Sequence, residues 1–294
     1  MRAINWTVTI LLALVGCGDG GASSQSRAGN VASDLRSGGE SNQDNAEAHL
    51  KKGAEHLQSG RHREAVAEFR KAIAINPDMA AAHFNLGVAY NRLGEHEAAI
   101  EAYQEAAPLE PKKAMPLFNL GITYAELKRY DEAIAAYERA ISIKPDFAEA
   151  HFNLGIVFTD AAQPEKAIKA YRRAISVKPD YLEAHFNSAL LYGELRRYEE
   201  SAAAYEQALK LAPDSVDALA NAGLIYGRLG RREKAVTTLR RAIELKPDAA
   251  GARFNLGLVY IHFGEREAAR AEQKLLVNLD AGLAAQLLQL IEQR

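Results

Sequence analysis

Between residues 148 and 181 the apolar positions fall into two helical stripes. His151, Leu154, Gly155 and Phe158 stand at i, i+3, i+4 and i+7, and Ala150, Val157 and Ala161 form a second stripe beside them. A helix apolar on two sides has to be covered twice, by its own partner and by a further neighbour. The segment that follows carries Ala167 and Tyr171 as facing residues, and Pro179 ends it, because a residue preceding proline is pushed out of the helical region. The same order returns at a fixed period of 34 residues, bringing Pro77, Pro111, Pro145, Pro179, Pro213 and Pro247 into register without an insertion. A period of this length predicts stacked helix pairs, none of which can bury its apolar surface alone.

Each unit is numbered 1 to 34 from Ala148, so that Pro179 is position 32. Position 8 is Gly87, Gly121, Gly155, Gly223 and Gly257. Glycine inside a helix costs about 0.5–1 kcal/mol relative to alanine, so it needs a packing reason. Alanine at position 20, as in Ala99, Ala133 and Ala167, and an aromatic at position 24, as in Tyr103, Tyr137 and Tyr171, predict a close helix approach there. Asp at position 33 is expected to cap the next helix, with Asp146 to Glu149 and Asp180 to Glu183 spaced as capping boxes.

Composition adds little except at the amino end. Hydrophobic residues are 48% and aromatics 7%, which suits helix packing through Ala and Leu, and the net charge of −2 gives no electrostatic footprint for nucleic acid. Residues 1–16 read as a signal peptide, with Arg2 ahead of the apolar run from Trp6 to Val15, a run too short to span a bilayer as a helix. The sole cysteine, Cys17, ends the sequence Leu14-Val15-Gly16-Cys17, which resembles the bacterial lipobox. That resemblance implies lipidation of Cys17 and a lipid anchor in the cell envelope. Gly18 directly after it favours the outer membrane where there is one. Residues 17–45 are rich in Gly, Ser, Asn and Gln and are expected to form a flexible tether.

The order Leu, Gly, Tyr, Ala, aromatic, Ala and Pro at positions 7, 8, 11, 20, 24, 27 and 32 resembles the tetratricopeptide repeat. The resemblance covers seven units, 46–79, 80–113, 114–147, 148–181, 182–215, 216–249 and 250–283, followed by a capping helix at 284–294 whose apolar stripe is Leu283, Leu287, Leu288 and Ile291. It implies an all-α fold, a right-handed superhelical solenoid in which first helices line a concave groove. The end units depart from the pattern: Lys52 and His56 replace Leu and Tyr in the first, and Gln273 and Ala281 replace the aromatic and the proline in the seventh.

Position 6 is Asn85, Asn119, Asn153, Asn187, Asn221 and Asn255, and the implied groove location makes a ladder of amides suited to an extended peptide backbone. It is similar to the asparagine ladder of O-linked N-acetylglucosamine transferases; the alternative is that these amides steady neighbouring helices. Position 5 is Phe84, Phe118, Phe152, Phe186 and Phe254, either an apolar strip in the groove or residues packed inward between helices. Acidic residues at positions 2 and 13 of the middle repeats, such as Glu126, Asp160 and Glu194, predict a neutral or basic protein or peptide partner and argue against a chaperone tail, while Arg92, Arg228 and His262 lie toward the groove ends. The histidines at position 4, His49, His83, His151 and His185, are too far apart between repeats to share a metal and are expected to pack. With no phosphate loop, HExxH or GxSxG motif, the expectation is a non-catalytic, membrane-tethered interaction scaffold without cofactor or small-molecule substrate. Alternatives are a pilotin-like assembly factor for an outer-membrane complex and a substrate-presenting subunit of an enzyme such as a glycosyltransferase.

Overall fold

The computed structural model describes residues 33–293, and those residues form fifteen α-helices with no strand among them. The expected signal peptide and Cys17 lie outside the described residues. No described helix is long and apolar enough to cross a membrane. The chain divides into two compact units, one ending at Val157 and the other beginning at Phe158.

The described part of the first unit contains α1 (Ser33–Gln58), α2 (His62–Ile75), α3 (Ala80–Leu93), α4 (His96–Leu109), α5 (Met115–Glu126), α6 (Tyr130–Ile143) and the start of α7 (Ala148–Asp160). The second contains the end of α7, then α8 (Pro164–Val177), α9 (Leu182–Glu194), α10 (Tyr198–Leu211), α11 (Val216–Arg228), α12 (Arg232–Leu245), α13 (Ala250–His262), α14 (Arg266–Leu276) and α15 (Ala281–Glu292). First helices from α3 onward thus begin within one residue of the starts read from the period. At the amino end α1 is helical from Ser33, inside the segment expected to be a tether. Gly38 and Gly39 disfavour helix there. Propagation from the packed part of α1 costs less than a new nucleus and accounts for the extension.

The second and third repeats close through the same contact. A Cβ added at Gly87 would stand 2.6 Å from the Tyr103 ring, and one added at Gly121 would stand 2.7 Å from the Tyr137 ring. Glycine is therefore what lets a fully buried tyrosine lie flat on the first helix. The seventh repeat solves the same problem differently. Gln273 stands where the aromatic would be, and α15 folds back to place Leu287 over Gly257, where a Cβ would be only 2.5 Å from the leucine. Of the stripe expected to cover this end, Leu287 and Ile291 are buried, but Leu288 is 37% exposed.

The joints between repeats correct the capping expectation. Asp146 and Asp180 do not cap; they sit with their prolines inside a four-residue turn, in which the Phe147 amide donates to Lys144 O at 3.1 Å and the Tyr181 amide to Lys178 O at 3.1 Å. The N-cap residue of α9 is Tyr181, which makes no side-chain cap bond. Proline pre-sets the turn and Asp fills its second central position, so the local geometry is satisfied without the box. Side-chain caps occur instead at Ser215, which accepts from the Ala218 amide, and at Asp280, which accepts from the Leu283 amide.

Candidate partner-binding face of the first helices

The position-5 phenylalanines are core. Phe84, Phe118, Phe152 and Phe186 are buried, and only Phe254 is half-exposed. Phe84 packs against Tyr103 and Phe118 against Tyr137, each with ring centroids 5.9 Å apart, and Phe186 meets Tyr205 edge-on at 5.7 Å. The reason is the flat tyrosine at position 24: its ring leaves a wall that an aromatic at position 5 of the same repeat fills. Four of the five are thereby removed from any binding surface.

The asparagines divide by unit. In the first, Asn85, Asn119 and Asn153 are 2%, 0% and 8% exposed. They point into the stack, where Asn119 lies beside the Tyr103 hydroxyl and Asn153 beside that of Tyr137. Burial pushes both phenols well above the ordinary tyrosine range, and the neighbouring amides oppose that only partly. Tyr103 OH, both ends of the Asn119 amide and Asn85 Oδ1 are buried without a hydrogen-bond partner among the described residues. In the second unit Asn187, Asn221 and Asn255 are half-exposed. Asn187 lies near Tyr171, whose hydroxyl burial pushes up to about 12. Asn255 faces no tyrosine, since position 24 of the preceding repeat is Leu239, and its Nδ2 donates to Ala220 O at 3.0 Å. The half-exposed residues on the first helices of this unit include these amides together with Leu190, Ala220, Phe254, Leu258 and Ile261.

A cleft of about 320 Å³ opens among these residues between α11, α13 and α15. Leu224, Phe254, Leu258, Ile261 and Leu290 give it an apolar lining, and Arg228, His262 and Gln293 supply the polar groups. Its floor depends on Gly227, where a Cβ would stand 2.7 Å from Val259 Cγ2, so that α11 and α13 meet through bare backbone. Phe254, Arg228 and His262 were visible in the repeat pattern. Leu290 and Gln293 were not, because α15 enters from outside the 34-residue period.

The position-4 histidines have a structural task. Nε2 of His83, His151 and His185 donates to the carbonyl of Pro77, Pro145 and Pro179 at 2.8, 3.0 and 2.9 Å, tying the first helix to the joint before it. Arg253 makes the same contact to Pro247 O at 3.2 Å and also reaches Glu272 at 3.3 Å. At the other end His49 is 2.6 Å from Glu68, a carboxylate only 7% exposed that Lys71 also holds at 2.9 Å. Hydrogen bonds from Lys71 and His49 lower the Glu68 pKa from 4.5 to about 2. In the acidic column, burial raises the pKa of Glu126, and His96 at 3.6 Å opposes the shift. Among the described residues no group of three or more His, Cys, Asp or Glu side chains is placed to hold a metal.

The sequence model of the tetratricopeptide repeat matches residues 43–115, 152–216 and 186–231, and a second TPR repeat model matches 123–160 and 228–261. No curated protein sequence matches the chain. Among solved structures it is similar to YrrB, described as a TPR protein with an unusual peptide-binding site, at 27% identity and a TM-score of 0.55 over 63% of this chain and 95% of that one. It is similar to MamA at 25% identity and a TM-score of 0.55, over 59% of this chain and 95% of that one. The PilF protein of Pseudomonas aeruginosa shares the fold at 23% identity and a TM-score of 0.59, over 74% and 97%.

Proposed function

This chain belongs to the tetratricopeptide repeat family, and on that ground we propose that it is a non-catalytic scaffold holding an extended segment of a partner protein against the first helices of its second unit. The observation that carries this reading is the half-exposed mixture of amides and aliphatics at Asn187, Leu190, Asn221, Asn255 and Leu258. Such a surface offers backbone-directed donors and acceptors beside apolar contact area, the combination an extended peptide uses. Among solved relatives, YrrB is described as having a peptide-binding site. Glu194 and Asp217 on the same helices favour a partner segment that is neutral or basic at that point. The first unit contributes rigidity, its amides being turned inward.

The sequence around Cys17 adds a tether: the mature protein carries lipid on Cys17 and stands in the cell envelope, with the outer membrane favoured by Gly18. Metabolic labelling with a fatty-acid analogue tests the anchor, and a Cys17→Ser chain that keeps the label refutes it. A photo-crosslinker placed at Asn221 is expected to capture one partner from native envelope, and the same probe at Asn119 is expected to capture none. Equal capture at both positions would refute the assignment of the binding face to the second unit.

A further inference from the structure

The cleft between α11, α13 and α15 differs from the rest of the binding face in the sign of its charge. At position 13, Glu194 on α9 is followed by Arg228 on α11 and His262 on α13. Both Arg228 and His262 are exposed, and neither makes an ion pair among the described residues; His262 is only stacked edge-on against Phe263 at 5.0 Å. Arg228 is a permanent cation, and its neighbours along the chain of repeats in other positions, such as Arg231 and Arg232, are already engaged with Glu199 and Glu265. Among the described residues no carboxylate lines the cleft. Its volume of about 320 Å³ lies at the low end of the roughly 300–1,000 Å³ typical of ligand sites, enough for one side chain and the backbone that carries it.

We propose that this cleft seats a single apolar side chain from an extended peptide segment, and that Arg228 and His262 hold the side-chain carboxylate of an acidic residue beside it. The inference rests on the reading of the first helices as a binding face and adds polarity to it. Packed helices stand about 8–10 Å apart and an extended chain advances about 3.3–3.6 Å per residue, so the repeat that presents Glu194 is about three residues away along the ligand. The bound segment therefore runs from basic residues over Glu194 to an acid-flanked apolar anchor in the cleft. This charge order refines the expectation of a simply neutral or basic partner.

The test is fluorescence anisotropy of the full chain with amidated, labelled peptides, so that no terminal carboxylate is present. KKAAELE and its reverse ELEAAKK cover both directions of travel. At least one is expected to bind, and the Leu-to-Ser version and the charge-exchanged EEAAKLK are each expected to bind about tenfold more weakly. Arg228→Glu together with His262→Glu, both at exposed positions, is expected to weaken the acidic probe about tenfold and to strengthen EEAAKLK, a rescue that misfolding cannot produce. The proposal is overturned if neither probe binds, if the Ser version binds equally well, or if the double variant leaves both affinities within about twofold. Retained crosslinking at Asn221 in that double variant, with peptide binding absent throughout, would place the failure in the cleft and leave the broader binding face standing.

Discussion

One pair of first helices in the first unit and two pairs in the second come together by opposite means. Between α3 and α5, Asn91 Nδ2 donates to Thr123 Oγ1 at 2.7 Å, and that hydroxyl donates in turn to Asn119 O at 2.9 Å. Between α11 and α13 the equivalent place is Gly227 under Val259, and between α9 and α11 it is Gly193, where a Cβ would stand 3.1 Å from Ile225 Cδ1. The first arrangement fixes the helices with directional bonds and leaves buried amides and a phenol unpartnered behind them. The second brings the helices together with apolar contact, and in that unit the position-6 amides are half-exposed. Buried and half-exposed position-6 amides are divided between two stretches with nearly the same repeat sequence.

The contrast is most severely broken at the end of the second unit. Leu287→Ala should cost about 3 kcal/mol, because it empties the space over Gly257 that no aromatic of its own repeat fills. Hydrogen exchange should then speed up in α13 and α14 while protection in α3 to α6 stays unchanged. A smaller effect is expected at Gly121→Ala, a loss of about 1–2 kcal/mol, since the new methyl would overlap the Tyr137 ring by more than the gain in helix propensity restores. Gly251→Ala, where nothing lies within 4 Å, should instead stabilise by up to about 1 kcal/mol; paired denaturant titrations check both signs.

The amide ladder gives the sharpest version of the comparison. Asn119→Leu should stabilise the protein by about 1 kcal/mol, because it replaces two unpartnered buried polar atoms with an apolar group of similar size. Asn255→Leu should destabilise by about 1 kcal/mol, through loss of the bond to Ala220 O. Thermal melts of the two single variants that move in the same direction would show that the units do not differ in this respect.

The smallest effect is expected from acid. Glu68 has its pKa lowered when folded, so its contribution is present above pH 4.5 and is lost as the pH falls from 4.5 toward 2. Lys52 and Lys71 are more than half exposed and solvent screens them, which keeps the gain small. Comparing Glu68→Gln with the parent at pH 7 and pH 3 should show a difference at the higher pH that shrinks at the lower one.

What the sequence made legible was whatever is local or periodic. Helix starts from Ala80 to Ala250 followed from the 34-residue register, and the Gly87 to Tyr103 contact from glycine needing a reason to be in a helix. The orientation of Asn119 did not follow, because it depends on Tyr103, an aromatic contributed by the preceding repeat. Nor did the role of Asp180, since a proline turn and a helix cap call for the same residue types. The cleft was half visible. Its walls on α11 and α13 carry repeat residues, whereas Leu290 comes from a helix with no counterpart at its position in the other units.

The joints tied by His83, His151 and His185 to their prolines carry one more consequence. Each closes a ring of fixed size between a helix and the turn before it, so each joint sets the same phase for the helix that follows. Insertion of one or two residues within the first turn of such a helix would turn the rest of that helix by about 100 or 200 degrees and misdirect both of its stripes. The histidine ties therefore keep each of these first helices in one register with the turn before it.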